Sequence, residues 1–387
     1  MRTIAPAPTI SAPLRIIQVV NVRWFNATAW YGLFLASLLR EAGHEVRVLG
    51  LKGTESFAKA EEWGLAPETV DLNTANPFAV ASVYADLRRL VRDFDPHIVN
   101  CHRGESFFLW ALLKRSARFA LVRTRGDQRP PKANAANTII HAKLADAVIA
   151  TSSGIAAGVR DILHVPAERV HTILGGVDTQ RFFPDPEARA AMRDALGLHQ
   201  EHKAIGLVGR FDTVKGQKEL IAAFARARHE LGTESANVRL VLAGFATSAV
   251  SEDAVRSWVE AAGVGDSVLL PGRSENVRAL MNALDLGVVA SLGSETIARV
   301  ALEIMACGVP LVGTNVGVMP DLLDDAALVS PGDTHAMAAL IRRFVTESGF
   351  GENLAVAQAE RMASLGESDF YTQTMAVYRK VLQADGR

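Results

Sequence analysis

Two pairs of charged residues, far apart in the chain, carry the residue types and spacing most suited to chemistry. Arg210 and Lys215 lie five apart in GRFDTVKG, and Glu295 and Glu303 lie eight apart in SETIARVALEIMACGVPLVGT. Each segment begins where an apolar run, IGLVG or LGVVAS, gives way to a helical pattern, so the polar side chains fall at carboxyl ends of strands beside helix N-termini. In an open parallel sheet that edge is where ligands bind. Two cations neutralise a diphosphate, a helix N-terminus adds N–H donors and a favourable dipole, and carboxylates accept hydrogen bonds from sugar or ribose hydroxyls. Together these residues describe a nucleotide-sugar site.

Positioning them requires strands that alternate with helices. From Arg15 onward the runs RIIQVV, EVRVL, HIVNC, FALVRT, DAVIAT and RVHTIL read as strands, with helical patterns near 29–42, 80–94, 105–117, 134–144 and 153–163 between them. The alternation restarts at AIGLVG and continues through VRLVLAG, SVLLPG, DLGVVAS, VPLVGT and AALVSP. This pattern predicts an α/β protein with two Rossmann-like, doubly wound parallel-sheet domains. The expected divisions are a flexible tail over 1–14, a first domain over 15–185, a second over 186–366 and a last helix within 367–387. The break falls near FFPDPEARA, where two prolines interrupt the apolar periodicity. A dinucleotide-dependent dehydrogenase is the obvious rival, but neither first turn, NVRWFNATAWYG or GRFDTVKG, contains a glycine triad.

Composition narrows the class. The 387 residues are 49% hydrophobic and 21% charged with a net charge of −1, values of a globular chain that argue against wholesale nucleic-acid binding. Cys101 and Cys307 are the only cysteines; their wide separation is neither a disulfide framework nor a zinc spacing. A cytoplasmic protein is expected, touching a membrane only peripherally, at the inner face of the plasma membrane.

In order and spacing, G-R-x-x-x-x-K-G followed by E-x7-E-x-M-A-x-G-x-P resembles the donor-side pattern of retaining GT-B glycosyltransferases of family 4, the group 1 glycosyl transferases. HTILGGVDTQRFFP at 171–184 is similar to that family's interdomain turn. The resemblance implies a GT-B fold whose domains face a central cleft, with a C-terminal helix that crosses back to the first domain. It also implies transfer of a sugar from a nucleoside diphosphate donor, with retention of configuration, to a glycan or lipid-linked acceptor in lipopolysaccharide or other cell-surface glycan synthesis. Neither cofactor nor metal is expected, because the family stabilises the leaving diphosphate with protein cations. A nucleotide-sugar epimerase, a phosphorylase and a non-catalytic nucleotide-sugar binder stay open as alternatives on the same fold.

By the same resemblance Gly209, Arg210 and Lys215 hold the diphosphate, Glu303 the ribose, and Glu295 the donor sugar, although Glu295 would also serve as a helix cap. The chain departs from the family between the glutamates, where Thr296, Ile297 and Ala298 replace E-G-F-G-type residues. Losing glycines restricts positive-φ geometry, so a differently shaped loop is expected, with Ala298 near the helix N-terminus. Arg299 either meets a phosphate or sugar carboxylate or points outward. Arg125 stands where many members carry a histidine; an arginine keeps its charge and offers a planar fork of donors but cannot act as a base. Asn26, His102, Arg103, Arg125 and Asp127 are the candidate acceptor-binding residues, Asp127 and His102 having structural roles as their alternatives. Trp24, Phe25, Trp30 and Tyr31 either pack in the core or stack on a sugar face. Eight cations from Lys114 to Lys143 against Asp127 alone suit an anionic acceptor or anionic lipid headgroups.

Overall fold

The computed structural model of the protein describes residues 12–74, 76–105 and 107–384; most of the tail expected over 1–14 lies outside them. The chain divides into two compact units, one formed by residues up to Gly175 together with the segment from Ser368, the other by Gly176–Glu367.

In the first unit, seven strands among the described residues form a parallel sheet: β1 Arg15–Val19, β2 Glu45–Gly50, β3 Glu68–Thr69, β4 Ile98–Cys101, β5 Ala120–Arg125, β6 Ala147–Ala150 and β7 Val170–Thr172. Their order is β3-β2-β1-β4-β5-β6-β7. All residues of β4 and β6 are buried, as strands covered on both faces are, and the one polar side chain among them, Asn100, is hydrogen-bonded. The direction of crossover reverses between β1 and β4, and in such sheets the crevice for ligands opens there, beyond the carboxyl ends of the strands. The C-terminal helix Glu367–Ala384 fastens to this unit through a polar core: Tyr378 Oη accepts hydrogen bonds from Gln18 Nε2 at 3.0 Å and Asn100 Nδ2 at 2.9 Å. The sequence left unread the helix Glu55–Glu62, the two-residue edge strand β3 and the short 3-10 helix Ala167–Arg169. Residues 134–144 form a short α-helix, Ala135–Ile139, that widens into one π-helical turn, Ile140–Leu144, which buries His141 beside Phe107.

The second unit repeats the design with six parallel strands among the described residues: β8 Lys203–Val208, β9 Val238–Ala243, β10 Val268–Gly272, β11 Leu286–Val289, β12 Leu311–Thr314 and β13 Leu328–Val329, in the order β10-β9-β8-β11-β12-β13. Its switch point lies between β8 and β11. The helix Gln217–Leu231 buries Leu220, Ile221, Phe224 and Ala227, a stripe at helical spacing.

The division between units falls at Gly175/Gly176 rather than at 185/186, because the stretch after Gly176 is tied to the second unit. Val177 bridges to Gly366, Asn282 bonds Asp185 N at 2.8 Å and Phe183 O at 3.1 Å, and Phe182 is buried. The proline-marked stretch is therefore docked chain, not a linker.

Candidate functional site

In the second unit the turn that follows β8 carries Arg210 and Lys215, and two glycines press it onto neighbouring backbone. A Cβ on Gly216 (φ +72°) would stand 1.9 Å from Ala290 O at the end of β11, and one on Gly244 would stand 1.8 Å from Gly209 O. Only glycine permits such approach, and Gly216 also needs the left-handed region that favours it. Lys215 is thereby set beside the loop that leaves β11, and Arg210 beside the one that leaves β9.

That loop delivers Glu295. Lys215 Nζ donates to Glu295 Oε1 at 2.5 Å, and Ser291 Oγ donates to the same oxygen at 2.5 Å. Thr314 Oγ1 donates to Ser291 O at 2.6 Å and Val318 N to Glu295 O at 2.8 Å, which fixes the loop. Glu295 is 7% exposed. Arg210 is half exposed and pairs with Asp212 at 3.0 Å, while its carbonyl accepts from Gln217 Nε2 at 2.9 Å. Arg210 and Lys215 thus both rest on carboxylates.

Glu303 lies one helix deeper, on the helix Arg299–Ala306, 6% exposed, with Arg299 Nε 3.0 Å from its Oε1. Burial raises its carboxyl pKa, and the opposing pull of Arg299 and Arg181 does not cancel that effect. Arg299 thus forms an i,i+4 pair with this buried carboxylate while remaining partly exposed.

At Ala298 the loop enters the helix in a conformation unusual for alanine. Its backbone adopts the left-handed region unaided, φ 48° and ψ 49°, at the N-cap of that helix, so the turn keeps positive-φ geometry without a glycine. The left-handed region costs a non-glycine residue roughly 1–2 kcal/mol, and residues held this way gather at functional sites. Ala298→Gly is expected to leave unfolding stability within about 1 kcal/mol of wild type, strain relief offsetting the looser unfolded chain. Ala298→Val should lower it by about 2 kcal/mol or more, because β-branched residues resist positive φ. Urea unfolding of the two variants gives the order, and a valine variant as stable as wild type would refute the strained backbone.

In the first unit His102 follows β4 at the switch point. It is 1% exposed and its Nε2 lies 2.7 Å from Gln18 Oε1. Since Gln18 Nε2 donates to Tyr378, its oxygen accepts, and His102 Nε2 is the protonated nitrogen. Burial, with Arg123 adding to it, lowers the imidazole pKa to about 3, so the ring is neutral and its buried Nδ1 has no partner among the described residues.

The other acceptor candidates are engaged locally. Arg103 is paired with Glu105, and Arg125 Nη2 donates to Arg129 O. Asp127 accepts from Arg129 N at 3.0 Å and from its guanidinium at 2.9 and 3.1 Å, which closes a turn. Asn26 caps the helix Ala27–Glu41 by accepting from Ala29 N at 3.1 Å. Trp30 and Tyr31 are core residues, whereas Trp24 is 67% exposed.

The cation-rich stretch is less one-sided than its sequence. Lys114 pairs with Asp146, just outside the stretch, and Arg123 is buried; Arg115, Arg118, Arg129, Lys132 and Lys143 are exposed. Sequence reasoning passed over Ser291 and Arg181. Ser291 ends the LGVVAS run, so its place at a strand's carboxyl end was a usable signal; Arg181 reaches Glu303 electrostatically from a segment distant in sequence, which spacing does not reveal.

Comparison with known proteins identifies the family and the fold. The model for glycosyl transferases group 1 matches residues 188–362 and that for glycosyltransferase family 4 matches residues 30–181. A D-inositol 3-phosphate glycosyltransferase of Salinispora arenicola is 29% identical over 273 residues, covering 67% of this chain and 60% of the relative. A lipopolysaccharide core biosynthesis mannosyltransferase, LpsB of Rhizobium meliloti, is 32% identical over 228 residues, covering 56% of this chain and 60% of the relative. The chain thus spans about three fifths of the length of these curated relatives. Among solved structures, Anabaena HepE in complex with UDP superposes with a TM-score of 0.82 at 20% identity, covering 95% of this chain and all of that one. A glycosyltransferase from Rickettsia africae gives 0.82 at 15% identity, covering 96% and 99%. At these identities the likeness establishes the fold.

Proposed function

Because the chain belongs to the group 1, family 4 glycosyltransferases and has their two-domain GT-B fold, we propose that it transfers a sugar from a nucleoside diphosphate donor to a glycan or lipid-linked acceptor with retention of configuration. The observation that carries this reading is the pairing of Lys215 with Glu295 at the β8/β11 switch point, with Arg299 on Glu303 in the helix that follows and Arg210 on Asp212 in the turn after β8. HepE, the structural neighbour, is known in complexes with UDP and with UDP and glucose, which supports a nucleotide-sugar donor here.

The chemistry follows from charge. Departure of the diphosphate leaves an oxocarbenium-like sugar and builds negative charge on phosphate. Lys215 and Arg210 answer that charge electrostatically once the donor displaces their carboxylate partners. Glu295, freed from Lys215, accepts hydrogen bonds from donor-sugar hydroxyls, and Glu303 accepts from the ribose. Acceptor binding falls to the first unit, through His102, Arg103, Arg125 and Asp127. The relatives that act on D-inositol 3-phosphate and on lipopolysaccharide core support a role in surface-glycan or related glycoconjugate synthesis. Incubation with labelled nucleotide sugars tests the reaction: a transferase releases nucleoside diphosphate in proportion to sugar transferred, an epimerase keeps the nucleotide attached, and a pure binder releases nothing.

Peripheral membrane contact is part of the same reading. Among the described residues no helix is long and apolar enough to cross a membrane. The helix Phe107–Leu113 nevertheless presents Phe108 and Leu112, 48% and 46% exposed, one turn apart, with Arg115 and Arg118 exposed just beyond it. Each surface cation near an anionic bilayer contributes about 1 kcal/mol. Sedimentation with anionic liposomes should exceed that with neutral ones and fall as salt is raised; equal binding indifferent to salt, or none, would remove the membrane contact.

A further inference from the structure

Arg123 is a buried charge that the site described above leaves unused. It lies in β5 with its Cα paired to Cys101 of β4, and it is 3% exposed. Guanidinium stays protonated at neutral pH, and a buried cation is ordinarily matched by a carboxylate because isolating it from water is costly. Among the described residues no carboxylate pairs with it directly. Nη1 donates to Cys101 O at 2.8 Å and to Thr124 O, and Nε has no acceptor among the described residues. Glu105, the acid that acts on it, is already paired with Arg103.

The surroundings add positive charge. Arg103, Arg123, Arg125 and Arg129 face two acids, Glu105 and Asp127, across the loops that leave β4 and β5, so four minus two leaves a local excess of two positive charges. A phosphate monoester carries about −1.5 to −2 at neutral pH. Gly104 stands over the guanidinium, where a Cβ would come within 3.9 Å of Nη2; a larger side chain there would cap the fork. His102 Nδ1, buried after β4 without a partner, and Gln128 Nε2, buried after β5 without an acceptor, are further unmet polar atoms of the same loops.

We propose that the carboxyl ends of β4 and β5 form a binding subsite for a phosphate monoester, with Arg123 as its buried anchor and Arg103 and Arg125 at its rim. Resting on the glycosyltransferase reading, this makes the acceptor, or the group next to its reacting hydroxyl, phosphorylated. The guanidinium fork matches a phosphate with two parallel donors, and His102 Nδ1 is left to accept a hydrogen bond from a neighbouring hydroxyl.

The test measures inorganic phosphate and glycerol phosphate binding by calorimetry on the full chain, at constant ionic strength, for wild type, Arg123→Lys, Arg123→Met and the rim variants Arg103→Gln and Arg125→Gln. Arg123→Lys keeps the charge but loses the fork, and affinity is expected to fall about tenfold; Arg123→Met should abolish binding, and each rim variant should weaken it several-fold. If Arg123→Met does not fold, the lysine and rim variants decide. Lys215→Ala should weaken nucleoside diphosphate binding while the Arg123-dependent part of phosphate binding remains. Unchanged phosphate affinity in Arg123→Lys and both rim variants, or its loss in Lys215→Ala, would overturn the subsite. Vesicles bearing phosphatidic acid provide a second arm: Arg123-dependent binding of them beyond phosphatidylglycerol vesicles assigns the group to a lipid, and binding of glycerol phosphate alone to a soluble acceptor. A wild type that binds phosphate but no nucleoside diphosphate would sink the donor reading and leave this subsite standing.

Discussion

Arg210→Ala and Lys215→Ala are each expected to weaken nucleoside diphosphate binding roughly tenfold to a hundredfold, the equivalent of about 1.5–3 kcal/mol for one charge-assisted contact. Their side effects should differ. Arg210 is half exposed, and its pairing with Asp212 contributes little to folding, so its variant should lose affinity with an unchanged unfolding midpoint. Lys215 supports Glu295, whose side chain is only 9% exposed. Removing it strands a buried carboxylate, an event that destabilises proteins by several kcal/mol when burial is complete and by less here, where Lys215 is 25% exposed. The double variant Lys215→Ala/Glu295→Gln should recover that stability without recovering turnover. Calorimetry showing undiminished nucleoside diphosphate affinity in both single variants would remove the phosphate assignment.

The same residues show why one half of the molecule was more legible than the other. Arg210, Lys215, Glu295 and Glu303 lie within turns and a helix that local patterns announce, so sequence spacing carried their placement at strand ends. Pairing was not legible: nothing in GRFDTVKG indicates that Lys215 meets Glu295, because that contact depends on β8 and β11 being neighbours in the sheet. Ala298 shows a further limit. Residue type predicts a backbone that avoids positive φ, but packing around a 3% exposed alanine imposes it. In the first unit the signal was a count of cations, and a count does not distinguish Lys114, neutralised by Asp146, or Arg123, enclosed between strands, from cations free to meet a ligand. The helix Glu55–Glu62 was missed because its eight residues, capped by Thr54, bury only Ser56, Phe57 and Ala60, too short a stripe to establish a period.

Glu303→Gln should separate a carboxylate kept for function from one kept for structure. Burial holds its pKa above the ordinary glutamate value despite Arg299 and Arg181. A carboxyl whose folded pKa exceeds its unfolded value binds protons more readily in the folded state. Its favourable contribution is fully present below the unfolded pKa, about 4.3, and is lost as pH rises through the folded value. The neutral glutamine escapes that loss, and Arg299, 39% exposed, stays solvated without its partner. Unfolding midpoints of the ligand-free proteins should therefore coincide near pH 4 and diverge toward pH 7 in favour of the variant. Nucleoside diphosphate affinity at pH 7 should move the other way, falling roughly tenfold to a hundredfold as a charged acceptor to the ribose is replaced. Glu295→Gln should instead reduce turnover more than nucleotide affinity, since its carboxylate is the one proposed to meet the sugar and its loss frees Lys215 from its partner. A Glu303→Gln protein that is more stable and binds nucleoside diphosphate as tightly as wild type would leave the buried charge without a function, and the ribose assignment would fall with it.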